Sequence, residues 1–236
     1  MWNEEYDVVV IGSGFAGLAA AIEARKLCSS VIVLEKMAVP GGNSTISGGL
    51  FAAAGSPLQA RDNIADSPEL MLADMLAAGR NYNHRELARI VAERSTGTLL
   101  WTIDDLGVKY KPELSHLGGH SVPRTYNTAN TSGAGIIRPM LVRCREMDIP
   151  IRLKTFLTGL IADENGDVEG VEVREDYIFP NRESGVGKRI RAKQAVILAT
   201  GGFSQDKEFR AVQNPMLTED IECTNHRGAT AESLIC

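Results

Sequence analysis

The feature that most constrains this chain is a glycine motif between a predicted strand and a predicted helix near its start. Residues 8–11 are an apolar run, and residues 16–27 repeat apolar residues at helical spacing. Between them, Gly12, Gly14 and Gly17 form the pattern GxGxxG. The first glycine permits a tight turn, the second lets the backbone approach a pyrophosphate, and the third lets the helix pack closely on the strand. This context predicts a dinucleotide-binding turn.

An acidic residue follows where such a unit needs one. The apolar run 31–34 predicts a second buried strand, which completes a βαβ opening, and Glu35 comes directly after it. A carboxylate about 20 residues beyond the motif accepts hydrogen bonds from a ribose diol and repels a 2′-phosphate. NADP is therefore disfavoured, despite the neighbouring Lys36.

Two further glycine-rich stretches bear on the identity of the dinucleotide. PGGNSTISGG at 40–49 follows Glu35 closely, where an NAD dehydrogenase would usually continue with further βα units. AVILATGG at 195–202 predicts a buried strand that brings a second glycine turn to the same sheet. Both suit a cofactor that lies extended along a loop, so the sequence favours FAD over NAD. An NAD-dependent dehydrogenase, supported by the glycine motif and Glu35 alone, is the less favoured alternative.

The rest of the pattern predicts an α/β fold, a Rossmann-like FAD-binding domain with a βαβ opening and a parallel sheet with an added antiparallel β-meander and covering helices. Helices are predicted from Ser67-Pro68 to about 78, from a capping box at Asn83 and Glu86 towards 105, and over 135–147. Strands are predicted at 151–154, 157–162, 168–173 and 195–199, with a type I′ turn at Asn165-Gly166, a loop at 114–132 and a solvated turn or β excursion at 182–191.

Composition excludes several classes of protein. Thirty acidic and 25 basic residues give a formal net charge of −5, and the charges are dispersed, so no nucleic-acid partner is predicted. The apolar run 8–11 is too short for a membrane span or a signal peptide, so we predict a cytoplasmic location. The cysteines form no CxxC pair, which indicates reduced, mostly buried side chains and no metal site. They are Cys28, Cys144, Cys223 and Cys236.

Six stretches, in order along the chain, resemble the flavoprotein subunit family of fumarate reductases and succinate dehydrogenases, in its soluble flavocytochrome branch. They are DVVVIGSGFAGLAAAIEAR, VIVLEKMAVPGGNSTISGG, AGRNYNHRELARIVAERS, GGHSVPRT, AVILATGGF and TNHRGAT. The resemblance implies an FAD-dependent oxidoreductase that reduces or forms an activated C=C bond. The implied substrate is a small dicarboxylate or other enoate, hydride passes at flavin N5, and the electron donor or acceptor is not identified.

The resemblance also implies the cofactor contacts. They are Gly12, Ser13, Gly14, Ala16, Gly17, Glu35, Lys36, Gly41, Gly42, Asn43, Ser44, Gly48, Gly49, Leu50, Leu157 near the adenine, Gly201, Gly202 and Glu232. Membrane-bound relatives carry a histidine, covalently linked to the flavin, at the position of Asn43. FAD is therefore expected to be non-covalent here.

Two local features qualify the resemblance. In GGHSVPRT, His120 and Arg124 are candidates to face the flavin or substrate, although pairing with loop carbonyls is the favoured interpretation. Related aspartate oxidases carry an acid at the position of Leu117, so that activity is disfavoured. The family's Gly-Ala-Thr-Gly-acid-Gly pattern is GATAES here, and we expect Ala231 and Ser233 to crowd the flavin.

The resemblance places the catalytic residues beyond residue 236, in a capping domain and a returning segment. We therefore expect residues 1–236 to be an incomplete FAD-binding domain, whose uncovered flavin-site surface promotes self-association. The alternative is a non-catalytic module that needs a partner segment.

Overall fold

The computed structural model describes residues 1–27 and 30–234, and the chain divides into two compact units. The first contains residues 1–46 together with those from 140 onward, and the second contains residues 47–139. The predictions for Cys28 and Cys236 lie outside the described residues.

The chain forms nine strands and seven α-helices within the described residues. The strands are β1 (Glu4–Ile11), β2 (Val31–Leu34), β3 (Leu50–Ala52), β4 (Tyr110–Ser115), β5 (Thr125–Thr128), β6 (Ile151–Arg152), β7 (Phe156–Ala162), β8 (Val168–Glu175) and β9 (Val186–Leu198). The helices are α1 (Phe15–Leu27), α2 (Gly42–Ile46), α3 (Pro57–Arg61), α4 (Pro68–Ala78), α5 (Arg85–Asp104), α6 (Ala134–Glu146) and α7 (Lys207–Gln213), with a 3-10 helix at Glu232–Leu234.

The first unit is built on a six-stranded sheet in the order β6-β2-β1-β9-β8-β7. The strands β6, β2, β1 and β9 are parallel, and β9, β8 and β7 form an antiparallel meander. This confirms the predicted fold class. Buried aliphatic side chains such as Val9, Ile32 and Ile190 form its core, and each stabilises the fold by about 1.5–3 kcal/mol.

The strand β9 is longer than predicted. Its residues 186–191 pair with β8 and its residues 190–198 pair with β1, so one strand joins the meander to the parallel sheet. The sequence predicted two separate elements here, at 182–191 and 195–199, because charged residues precede the apolar run. These charges have partners on the neighbouring strand: Arg189 lies opposite Glu172 and 2.8 Å from its carboxylate.

The hairpin between β7 and β8 forms, but its predicted type I′ turn is wrong. Gly166 has a φ of +88°, whereas Asn165 is not among the residues with positive φ, and type I′ needs positive φ at both positions. The Asp163 carboxylate accepts hydrogen bonds from the backbone N–H groups of Asn165 and Asp167, at 2.8 and 2.9 Å. These bonds select the observed conformation.

The second unit contains the antiparallel sheet β3-β5-β4 and the helices α3, α4 and α5. The strand β5 lies within the predicted loop 114–132, which is a correction. Its Thr125 and Thr128 are buried polar residues, and Tyr126 is buried with its hydroxyl accepting from the Leu58 N–H at 3.0 Å. A search for apolar alternation misses a strand whose buried residues are hydrogen-bonded polar ones.

The start of α5 differs from the prediction by one residue. His84 is the N-cap, and its Nδ1 accepts from the Leu87 N–H at 3.4 Å. Asn83, the predicted cap, instead packs against Gly79, where an added Cβ would lie 1.9 Å from the Asn83 Oδ1. The predicted start of α4 is confirmed, because Ser67 Oγ accepts from the Leu70 N–H.

Candidate cofactor-binding site

The glycine motif forms a turn at the carboxyl ends of β1, β2 and β9. Gly12 has a φ of +103°, and a Cβ on it would lie 2.4 Å from the Ala199 carbonyl oxygen. A Cβ on Gly17 would lie 1.9 Å from the Gly12 carbonyl oxygen. Only glycine fits either position. The close packing that it permits brings the start of α1, with its partial positive charge, to the edge of the sheet.

Glu35 is buried at the end of β2 and stabilises this turn through hydrogen bonds. Its Oε2 accepts from the Ser13 N–H at 3.1 Å and from the Ser13 hydroxyl at 2.5 Å, and its Oε1 accepts from the Met37 N–H at 2.8 Å. The Ser13 hydroxyl oxygen in turn accepts from the Gly41 N–H at 2.9 Å. A carboxylate offers about four acceptor positions, and three are used here, so one remains for a hydroxyl of a ribose diol.

A cavity of about 450 Å³ opens at this edge of the sheet. Most of the predicted contacts in the first unit line it, and Gly17 packs behind it. The lining contacts are Gly12, Ser13, Gly14, Ala16, Glu35, Lys36, Gly41, Gly42, Asn43, Ser44, Leu157, Gly201, Gly202 and Glu232. We call this cavity the cofactor groove.

Further residues line the cofactor groove that the sequence did not predict. They include Met37, Thr155, Phe156, Thr200, His226 and Thr230. Thr155 and Phe156 stand next to the predicted Leu157, and Thr200 precedes the predicted Gly201. Adjacency along the chain could therefore have identified these three.

An ion pair crosses the cofactor groove. Lys36 Nζ lies 2.9 Å from Glu232 Oε2 and also donates to the Thr230 hydroxyl. Burial raises the pKa of Glu232, but the hydrogen bonds from Thr230 and Lys36 outweigh it, so the net shift is downward. The ionised pair holds the segment 228–234 against the end of β2.

Asn43 and Ser44 secure the loop after β2. The Asn43 Oδ1 accepts from the His226 N–H at 2.5 Å, and Ser44 Oγ accepts from the Phe15 N–H at 3.0 Å. Asn43 therefore acts as a hydrogen-bonding residue between two lining segments. Its amide has no nucleophilic nitrogen, which agrees with the expectation of non-covalent FAD.

The two departures from the family pattern have different environments. Ala231 is 1% exposed and does not line the cofactor groove, so its methyl group cannot crowd a cofactor there, contrary to our expectation. Ser233 does line the groove.

The remaining predicted contacts, Gly48, Gly49 and Leu50, belong to the second unit. Gly49 has a φ of +66°, and a Cβ on it would lie 2.4 Å from the Ser132 carbonyl oxygen. Leu50 begins β3 and is half exposed. Their part in FAD binding stays a prediction.

Arg124 is fully buried in the second unit and is held by carboxylates. Its Nε and Nη2 each lie 2.9 Å from an oxygen of Asp66, and its Nη1 lies 2.7 Å from Asp74. The prediction that loop carbonyls pair with Arg124 is wrong. Its partners are carboxylates, because opposite charge compensates a buried guanidinium best. Burial raises the pKa of Asp74, but the hydrogen bonds from Ser121 and Arg124 lower it by more, so the net shift is downward.

His120 lies beside this cluster. Its Nδ1 is 3.5 Å from the Thr125 hydroxyl, and burial together with the Arg124 charge lowers the pKa of its imidazole. A neutral imidazole at neutral pH follows from this shift. A role towards flavin or substrate stays a prediction for His120.

The cysteines within the described residues carry no metal site. Cys144 is buried, and burial raises the pKa of its thiol to about 11. Cys223 is half-buried and also free. Within residues 1–27 and 30–234, no cluster of His, Cys, Asp and Glu side chains could hold a metal ion.

The comparison with known proteins agrees with this geometry. Residues 7–232 match the model of the FAD binding domain family. The chain belongs to the FAD binding domain family. FAD is therefore the expected cofactor, which confirms the choice of FAD over NAD.

The similar proteins confirm the resemblance to fumarate reductase flavoproteins. The chain is 49% identical over 234 residues to the acrylate reductase flavoprotein subunit of Shewanella woodyi, with 99% of this FAD binding domain and 46% of that protein covered. It is 35% identical to the urocanate reductase of Eggerthella lenta, with 97% and 37% covered. The chain thus spans less than half the length of these curated relatives.

Solved structures show the same fold. The open conformation of a flavocytochrome c3 fumarate reductase is 31% identical, with a TM-score of 0.91 over 99% of this FAD binding domain and 40% of that chain.

Among the residues that the structure describes, no helix is long and apolar enough to cross a bilayer. The cytoplasmic location and the self-association stay predictions.

Proposed function

We propose that the cofactor groove of the first unit binds FAD non-covalently. The observation that carries this proposal is the glycine turn closed against Ala199, with the buried Glu35 at the end of the adjacent strand. The pyrophosphate would lie at the start of α1, where backbone N–H groups and the helix dipole favour an anion. Glu35 would accept from the ribose diol, and Leu157 would contact the adenine.

We further propose that the chain is the FAD-binding part of an oxidoreductase that reduces or forms an activated C=C bond in an enoate or dicarboxylate. FAD supplies hydride transfer at its N5 position when bound. The relatives named as acrylate, urocanate and fumarate reductases support this reaction class. Residues that hold the substrate carboxylate and deliver the proton would come from polypeptide outside this sequence, as the 46% coverage of the acrylate reductase subunit suggests.

A chimera tests this function. Residues 1–236 would replace the matching portion of the Shewanella woodyi acrylate reductase flavoprotein subunit. We expect the chimera to bind FAD and to oxidise reduced methyl viologen when acrylate, fumarate or urocanate is supplied, whereas residues 1–236 alone bind FAD without turnover. A chimera that retains FAD and reduces none of these enoates would contradict the proposal, and turnover by residues 1–236 alone would contradict the external origin of the catalytic residues.

A further inference from the structure

Two hydroxyl groups in the cofactor groove are bonded to each other. The Thr200 Oγ1 and the Ser233 Oγ lie 2.5 Å apart, and both residues line the groove. Within residues 1–27 and 30–234, neither hydroxyl makes another side-chain hydrogen bond. Each hydroxyl has one hydrogen to donate, and the pair uses one of the two. One O–H donor therefore remains for a ligand.

The pair stands beside the dinucleotide-binding turn. Thr200 follows Ala199, and an ideal Cβ at Gly12 would lie 3.4 Å from the Thr200 Cα. In a turn of this kind the pyrophosphate lies against the glycines and the start of the helix. The remaining O–H donor is thus within the region where the most strongly charged part of a dinucleotide would bind.

Neighbouring contacts fix the position of Ser233. In the segment 228–234, the Ala229 carbonyl accepts from the Gln205 N–H at 2.9 Å, and the Ala231 N–H donates to Asp206 at 3.1 Å. The adjacent Glu232 is paired with Lys36. The Ser233 hydroxyl is therefore held in place before a ligand arrives, which reduces the entropy lost on binding.

We propose that Thr200 donates to Ser233 within the pair, and that Ser233 in turn donates a hydrogen bond to the pyrophosphate of FAD. The inference rests on the proposed binding of FAD in the cofactor groove. Hydrogen bonds to charged groups are about twice as strong as neutral ones, so the loss of this donor has a measurable effect on affinity. Ser233 is thereby a cofactor-positioning residue that supplements the backbone donors of α1.

Ligands with and without the pyrophosphate test the inference. Flavin fluorescence gives Kd values for FAD and riboflavin, and displacement of FAD gives the Kd of ADP-ribose. Ser233→Ala is expected to weaken FAD and ADP-ribose about tenfold while it leaves riboflavin within twofold. Thr200→Val is expected to weaken the same two ligands, whereas Thr200→Ser is expected to keep wild-type affinity. The double variant should bind FAD no more weakly than either single variant, because the hydroxyls act as a unit.

The outcomes separate this inference from the proposed function. Wild-type protein that binds no FAD overturns both. FAD binding that Ser233→Ala leaves unchanged or makes tighter overturns the role of Ser233 alone. Equal losses for FAD and riboflavin, together with a lower melting temperature by circular dichroism, would show a structural bridge and would also overturn it.

Discussion

Replacing Arg124 by methionine is expected to lower the free energy of unfolding by about 3–5 kcal/mol. The guanidinium is fully buried and bonded to Asp66, which is fully buried, and to Asp74, which is 13% exposed. Methionine fills much of the space but leaves two carboxylates without their counter-charge. The cost arises from these uncompensated charges more than from the lost attraction.

Urea unfolding followed by circular dichroism measures this effect. A matched control is Arg89→Met, because Arg89 also pairs with two carboxylates, Glu86 and Glu93, but on the exposed face of α5. Exposed pairs contribute about 0–1 kcal/mol, so the control should change the free energy of unfolding little. Equal effects of the two substitutions would refute the assignment of Arg124 as the centre of a buried charge cluster.

Replacing Gly12 by alanine is expected to abolish FAD binding, with a Kd raised at least about 100-fold. The new Cβ would lie 2.4 Å from the Ala199 carbonyl oxygen, and the φ of +103° is unfavourable for any residue with a side chain. The turn would have to open, which moves the start of α1 away from the pyrophosphate position. Overpacking of this kind also costs about 1–3 kcal/mol of stability.

The control for this substitution is Gly187→Ala in β9. Gly187 belongs to the same unit, does not line the cofactor groove, and has no atom within 4 Å of an ideal Cβ. FAD titration by fluorescence quenching should therefore give a wild-type Kd for Gly187→Ala. A Gly12→Ala variant that binds FAD with wild-type affinity would contradict the role of the glycine turn in FAD binding.

Local pattern was sufficient to predict the architecture of the first unit. The glycine motif, the apolar runs and Glu35 lie close together in sequence, and they predicted the βαβ opening and the glycine turn. Other groove contacts, such as Leu157 and Glu232, were implied by the family resemblance. The extent of β9 escaped prediction because its pairing with Glu172 and with β1 involves residues far apart in the chain.

The errors in the second unit have the same cause. The burial of Arg124 depends on Asp66 and Asp74, which are 58 and 50 residues away, and no local signal marks that contact. β5 is formed by polar residues whose hydrogen bonds are tertiary. Likewise, the sequence predicted that both Ala231 and Ser233 would crowd the flavin, and it did not show that Ala231 is buried away from the groove that Ser233 lines.

The binding of FAD to the purified chain tests the proposed function most directly. Titration with FAD, followed by flavin absorbance after gel filtration and by fluorescence quenching, should reach a stoichiometry of one FAD per chain. The protein should release the flavin on denaturation in acid, because no covalent bond is expected at Asn43. A chain that remains colourless after incubation with FAD and leaves flavin fluorescence unchanged would contradict the binding of FAD in the cofactor groove.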